Sequence, residues 1–241
     1  MTALLTLDAI TKRFRGLVAV DQVSFAVPQG AIFAVIGPNG AGKTTLFNMI
    51  AGAMASTSGS IVFAGSAIHG LPADAICRRG IARTFQIVRP FPALSVEDNV
   101  VVGALVRRRD VGSARAHARA VLQRLDLFDK RRQIAATLTL PDRKRLEVAR
   151  ALATEPQLLL LDEVMAGLRP TETDRMVAIL RSLNRDSGLT ILLIEHVMRA
   201  VMALASRVLV LDHGTAIAEG SPENVVRDPA VVQSYLGAEA V

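Results

Sequence analysis

One octapeptide restricts this chain to very few folds. Gly37-Pro38-Asn39-Gly40-Ala41-Gly42-Lys43-Thr44 follows the apolar run Ala31 to Ile36 and precedes Thr45 to Ala53, which has the pattern of a helix. Glycine, four residues, then Gly-Lys-Thr is the spacing of a phosphate cradle between a buried strand and a helix. The glycines let backbone N–H groups turn inward around phosphate oxygens, and the helix N-terminus adds partial positive charge. Lys43 reaches the outer phosphates, and the Thr44 hydroxyl is placed to ligate Mg²⁺. A glycine-rich turn after a strand is the plainer alternative, but the flanking strand and helix argue against it. The motif implies a bound nucleoside triphosphate.

The rest of the pattern extends that strand and helix into an α/β domain. Strand signals cover Leu4 to Ile10 and Val18 to Val27, and Pro28-Gln29-Gly30 turns the chain into the strand before the loop. Gly59 to Ile68 reads as a hairpin turning at Ala64-Gly65, residues 72–79 as a short helix stopped by Gly80, and Ile81 to Gln86 as a strand. A loop, Arg89-Pro90-Phe91-Pro92, precedes a helical stretch. Ser95-Val96-Glu97-Asp98 resembles a capping box with Asp98 in the place usually held by Glu or Gln. Helical periodicity continues through 113–125 and 142–153. Strand and helix then alternate: Leu158 to Leu161, helix 171–185, Thr190 to Ile194, helix 197–204, and Val208 to Leu211. Such alternation implies a parallel sheet covered on both sides. The core is expected over about 1–86 and 156–241, with a mostly helical subdomain inserted at about 87–155.

Aromatic residues make up only 4% of the 241 and Trp is absent, so Leu, Val, Ile and Ala must fill this core. The best candidate for a membrane span, Val197 to Leu211, is interrupted by Arg199 and Arg207. No basic flank followed by an apolar block opens the chain, so no signal peptide is expected. A single cysteine, Cys77, cannot form an internal disulfide, which fits a reducing cytoplasm. Charge is unevenly distributed: residues 76–150 hold 17 of the 28 Lys and Arg but only 7 of the 22 acids. Either these cations form a solvated helical surface, or they face anionic lipid or nucleic acid. Few aromatics lie among them, which disfavours a base-stacking surface.

Further candidate site residues stand at strand ends. Leu158-Leu159-Leu160-Leu161 forms a buried strand from which Asp162 and Glu163 emerge, and open α/β sheets bind ligands at strand C-termini. By itself such an ending is often a solvent-facing turn. Paired with the phosphate loop, it suggests Asp162 holding Mg²⁺ and Glu163 accepting a proton from the attacking water. His196 follows the strand Thr190 to Ile194 at the same sheet edge, either as a structural imidazole or in contact with the terminal phosphate. Gln86 is a surface residue opening a loop, or a ligand of Mg²⁺ or the lytic water through its amide oxygen.

Together these segments resemble the ATP-binding cassette (ABC) family along nearly the whole chain. Residues 37–45, including Thr45, match its phosphate loop, Gln86 its Q-loop, 158–163 its Walker B strand and His196 its switch histidine. Phe14 matches the aromatic that stacks on adenine. Leu138 to Leu152 lies where the family places its signature motif and the following helix. Ile81-Ala82-Arg83-Thr84-Phe85-Gln86, Ile194-Glu195-His196 with Met198, and Ser234-Tyr235-Leu236-Gly237 look like ATP-binding subunits of branched-chain amino-acid importers. Urea importers and lipopolysaccharide exporters share parts of that pattern. Three stretches depart from it. Leu138-Thr139-Leu140-Pro141-Asp142 replaces Leu-Ser-Gly-Gly-Gln, Val164 stands where Pro is usual, and Arg169 where Asp or Asn is common.

The resemblance implies an α/β P-loop NTPase of ABC type, with a parallel-sheet core, an N-terminal antiparallel β subdomain and the inserted helical subdomain. It implies ATP and Mg²⁺ as cofactors, and a dimer in which each ATP lies between one subunit's phosphate loop and the other's signature. Thr139 keeps a hydroxyl for that contact, whereas Leu140 adds a side chain and Pro141 has no N–H to donate. A heterodimer with a related ATPase subunit is therefore expected. Such a pair would sit peripherally at the cytoplasmic face of the inner (plasma) membrane, on separate permease subunits, served indirectly by an extracytoplasmic substrate-binding protein. The rival is a soluble ABC-type ATPase acting on DNA or ribosomes. It would carry long heptads, zinc-binding cysteine pairs or two cassettes, and none is present, so no nucleic-acid partner is expected.

Overall fold

The strand ahead of the phosphate loop is β3 (Ile32–Ile36), buried at all five positions. In this computed structural model, which describes residues 2–86 and 90–236, β3 lies inside a six-stranded sheet. The other strands are β6 (Ile81–Arg83), β7 (Leu158–Asp162), β8 (Thr190–Ile194), β9 (Arg207–Asp212) and β10 (Thr215–Gly220), in the order β10-β9-β3-β8-β7-β6. All neighbours run parallel except the edge strand β10, which is antiparallel to β9. Arg89 and Gly237, both named above, lie outside the described residues.

Side-chain alternation divides the core in two. Ala34, Leu159, Leu161, Ile191, Leu193, Val208 and Val210 face one layer of helices. That layer holds α3 (Val96–Ala104), α4 (Val111–Arg124), α5 (Leu140–Leu152), α6 (Pro170–Ser187) and α7 (Met198–Leu204). Phe33, Val35, Leu158, Leu160, Leu192, Ile194, Leu209 and Leu211 face the opposite way, toward α1 (Lys43–Ile50) and a second sheet. The second sheet is antiparallel, with strands β1 (Ala3–Phe14), β2 (Leu17–Pro28), β4 (Ser58–Phe63) and β5 (Ser66–Ala67) in the order β2-β1-β4-β5. Strands buried on both faces must read as unbroken apolar runs, which is why the four leucines before Asp162 marked β7.

Several local expectations are met. The β4–β5 hairpin turns at Ala64-Gly65, where both φ angles are positive, as a tight two-residue turn requires. Gly80 closes α2 (Ala73–Arg79) in the left-handed conformation. Ser95 caps α3 by accepting from the Asp98 N–H, but the expected box is not reciprocal: the Asp98 carboxylate takes the Ser95 hydroxyl at 2.6 Å.

Two expectations are revised. The strand expected to reach Gln86 stops at Arg83. Thr84 still donates its N–H to Leu160 O at 2.9 Å, but the next amide of β7, Asp162 N, donates to the Thr84 side-chain oxygen at 3.1 Å. The hydroxyl replaces a main-chain acceptor, so the ladder ends and Phe85 and Gln86 leave the sheet. Beyond Leu211 the chain also continues through β10, α8 (Pro222–Val225) and α9 (Pro229–Leu236).

Candidate nucleotide site

The phosphate loop runs from β3 into α1 with positive φ at Gly37, Gly40 and Gly42. Glycine is required at two of them by close approach as well. A Cβ at Gly37 would stand 2.0 Å from Leu211 O, and one at Gly42 2.3 Å from Ala19 O. The first-turn amides of α1, from Lys43, Thr44 and Thr45, have no acceptor one turn earlier in the helix, so this end presents donors to an anion. The Lys43 ammonium is buried and donates to Gly37 O at 2.7 Å and Pro38 O at 2.9 Å. Burial lowers its pKa below the ordinary lysine value, while Glu163 and Asp162 pull the other way.

A cleft of about 480 Å³ opens over the loop. Phe14, Asn39, Gly40, Ala41, Gly42, Lys43, Thr44, Thr45, Gln86 and Glu163 all line it, so most of the residues singled out from sequence meet here. Phe14 stands at its edge, 41% exposed, with the Lys12 ammonium 5.1 Å from its ring centre.

Asp162 ends β7 and is 1% exposed. Its Oδ2 accepts from Arg83 Nη2 at 2.8 Å, whereas Oδ1 is buried with no partner among the described residues. Thr44, Gln86 and Asp162 share a second cleft of about 450 Å³ beside the first. Glu163 lies just past the strand with φ at 49°, a left-handed value uncommon for a residue with a side chain. Its N–H donates to Ile194 O at 3.0 Å, and its carbonyl accepts from Lys144 Nζ at 2.9 Å. The Glu163 carboxylate accepts from Gln86 Nε2 at 2.7 Å, which leaves the Gln86 amide oxygen to other donors or a cation. His196 places Nδ1 3.9 Å from the same carboxylate oxygen, an ion pair only when the imidazole is protonated.

Thr139 is not brought to this cleft within the chain. It borders a separate hollow of about 220 Å³ with Pro141, Leu168 and Glu172, and its hydroxyl donates to Asp142 Oδ2 at 2.8 Å. Asp142 also takes Lys130 and Arg145. Burial alone would raise the Asp142 pKa, but these partners outweigh it and hold the carboxyl below its usual range.

Three residues around the site had no role in the sequence reading: Arg83, Lys144 and Glu195. Glu195 is 1% exposed, and its Oε1 accepts from Met165 N at 2.9 Å, while Oε2 has no partner among the described residues. Burial, with the Glu163 charge adding, pushes this carboxyl from 4.5 up to about 7. The folded protein therefore binds this proton more tightly than the unfolded chain, and stability falls as pH rises from about 4.5 to 7. Ionising Glu195 costs on the order of 3 kcal/mol by that shift. Glu195→Gln keeps an acceptor for Met165 N but carries no charge. It is expected to raise the melting temperature above wild type at pH 8 and to match wild type near pH 4.5. An identical pH dependence of melting in both proteins would refute the assignment.

The comparisons with known proteins agree with this geometry. The family model described as ABC transporter matches residues 20–166, and one described as branched-chain amino acid ATP-binding cassette transporter matches residues 217–241. The chain is 38% identical to the high-affinity branched-chain amino acid transport ATP-binding protein LivG of Salmonella typhimurium, over 97% of this chain and 98% of LivG. It is 36% identical to the lipopolysaccharide export system ATP-binding protein LptB of Escherichia coli, over 98% of each chain. Among solved structures, the ADP conformation of MJ1267, an ATP-binding cassette of an ABC transporter, superposes with a TM-score of 0.90 at 30% identity, covering 98% of this chain and all of that one. With a complete phosphate loop on a parallel sheet and likeness of this extent, the chain belongs to the ABC transporter family of ATP-binding proteins.

Proposed function

We propose that this chain is the ATP-hydrolysing subunit of an importer for branched-chain amino acids. The observation that carries the substrate class is the match over 217–241 to the branched-chain amino acid cassette model, together with the likeness to LivG along the full length. The chain's similarity to LptB keeps lipopolysaccharide export as the reading to test against. Uptake of labelled leucine, isoleucine and valine is expected to fall when the subunit is deleted and to return with it. Unchanged uptake, or a defect confined to urea or to lipopolysaccharide export, would overturn the substrate.

The residues divide the work as follows. Phe14 stacks on the base, while the loop N–H groups between Gly37 and Thr45, Pro38 excepted, and the Lys43 ammonium hold the phosphates. The donors suit Mg²⁺: Asp162 Oδ1, buried and without a partner among the described residues, and the Thr44 hydroxyl are hard oxygens, and Gln86, which carries an amide oxygen, lines the same cleft. When bound, Mg²⁺ would offset the charge on the phosphate oxygens. Glu163 takes the proton from the attacking water, and Gln86 and His196 orient water and terminal phosphate. Thr139 and its neighbours face the nucleotide of a second, related ATPase subunit. The domain division at about 86 and 156 is retained as part of this proposal.

Among the described residues no helix is long and apolar enough to cross a membrane. We assign the membrane path to separate permease subunits, with this chain peripheral on their cytoplasmic side. An apolar groove of about 340 Å³ between α2, β6, α3 and α5 suits a permease helix, since Phe85, Val102 and Val106 are 55%, 43% and 41% exposed along it. The cations of 76–150 are a weaker lure than their number suggests. Arg107 donates to Thr154 O, Arg108 pairs with Glu155, Arg115 and Arg119 with Glu97, and Lys130 and Arg145 with Asp142. That internal pairing supports the reading of a structural, solvated face. Val102→Asp is expected to abolish co-purification with the permease while ATP binding by the free subunit persists. Intact assembly would move the docking surface elsewhere.

A further inference from the structure

Arg83 joins three parts of the molecule that the proposed function treats separately. It closes β6, and its side chain is only 8% exposed. Nη2 donates to Asp162 Oδ2 at 2.8 Å, and Nη1 donates to Asn48 Oδ1 on α1, the helix that begins at Lys43. The guanidinium also stands 6.0 Å from the Phe47 ring centre and 5.3 Å from that of Phe85. Phe47 is fully buried on α1, whereas Phe85 is exposed in the apolar groove.

A buried ion pair is poor evidence for stability, because desolvating two charges offsets most of their attraction. The pair does impose geometry. Asp162 has its N–H held by Thr84 and one oxygen held by Arg83, so the carboxylate cannot turn freely. The remaining oxygen, Oδ1, is the one buried without a partner among the described residues. A planar fork holding both Asn48 and Asp162 is something Arg provides and the point charge of Lys does not. Arg83 and Phe85 line both the groove and the cleft that contains Thr44 and Asp162. Covering the Phe85 ring therefore restricts the guanidinium beneath it.

We propose that Arg83 is a positioning residue: it fixes Asp162 with one oxygen toward a divalent cation, and it makes that cation site sensitive to what covers Phe85. The inference rests on the reading of Asp162 as a cation ligand. Its test is equilibrium binding of a fluorescent ATP analogue to the full-length subunit, titrated with Mg²⁺ and repeated in EDTA. Outer partners of metal ligands typically change metal affinity by about 10-fold to 100-fold. Arg83→Gln should thus raise the Mg²⁺ concentration for half-maximal enhancement roughly tenfold or more, with less than about a twofold change of affinity in EDTA. Arg83→Lys should fall between it and wild type. Phe85→Ala, at an exposed side chain, should shift the Mg²⁺ midpoint in the same direction by a smaller factor, and it decides the matter even if Arg83→Gln does not fold. Equal losses in Mg²⁺ and in EDTA would mean that Arg83 is merely structural, and unshifted midpoints in the folded variants would overturn the proposal. Asp162→Asn is the control: if it leaves Mg²⁺ dependence unchanged, the cation-ligand reading fails and takes this inference with it. If Asp162→Asn shifts the midpoint and the Arg83 and Phe85 variants do not, only the inference fails.

Discussion

Glu163→Gln is expected to lower ATP turnover by about 10²-fold or more while nucleotide still binds, because an amide keeps the carboxylate's shape but cannot accept the proton of an attacking water. The backbone that aims the side chain is held independently of its charge. Ile194 O takes the Glu163 N–H, Lys144 donates to the Glu163 carbonyl, and Glu195 anchors Met165 N two residues on. Turnover near wild type would show that another group is the base. The same substitution in an assembled transporter also tests asymmetry. The hydroxyl of Thr139 is donated to Asp142, α5 begins at Leu140, and Pro141 has no N–H, so the Leu138 to Asp142 segment offers fewer donors to a partner's nucleotide than Leu-Ser-Gly-Gly-Gln. Losing one oriented donor costs about 2.7–4 kcal/mol in a transition state. The change in this chain should therefore be the more damaging, compared with the equivalent change in its partner. Equal effects, or a fully active homodimer of this chain, would show the two sites to be alike.

Lys43→Ala is expected to abolish productive ATP binding, with turnover falling by roughly 10² or more through loss of the charge nearest the outer phosphates. Lys43 also bridges the loop to itself through Gly37 O and Pro38 O, so its removal loosens the cradle as well as discharging it. Lys43→Arg separates the two effects. It keeps the charge, but the larger planar head does not fit between two carbonyls set for an ammonium. Binding isotherms for ATP on the purified subunit give the answer, and an affinity within a factor of two of wild type in Lys43→Ala would sink the phosphate-loop assignment.

Much of this architecture was legible because its strands are covered on both faces. Leu158 to Leu161 and Thr190 to Ile194 have no solvent side, so their apolar runs announced strands and placed Asp162 and His196 at the sheet edge. The strand through Gln86 was overextended because nothing local reveals that Thr84 would give its hydroxyl to Asp162 N in place of a carbonyl. The missed tail carried usable signals: His213-Gly214, both at positive φ, turns β9 into β10, and Ser221-Pro222 opens α8 with a cap and a proline in its first turn. Arg83, Lys144 and Glu195 were a different matter. Their roles are pairings between elements far apart in the chain, from β6 to β7 and from α5 to the loop after β7, and one sequence does not contain those pairings.

The close approaches around the phosphate loop bear on where nucleotide binding draws its free energy. Gly37 lies against the Leu211 carbonyl of β9, Gly42 lies against the Ala19 carbonyl of β2, and Gly214 N donates to Ala41 O at 3.2 Å. Both sheets thus grip the loop before any phosphate arrives. Ordering a free eight-residue segment would cost roughly 1–2 kcal/mol per residue in lost backbone freedom. Here that loss is settled during folding, and the incoming anion meets a cradle already shaped. The binding energy of the triphosphate is left available for work elsewhere, and changing the shape of the proposed permease subunits is work of that kind.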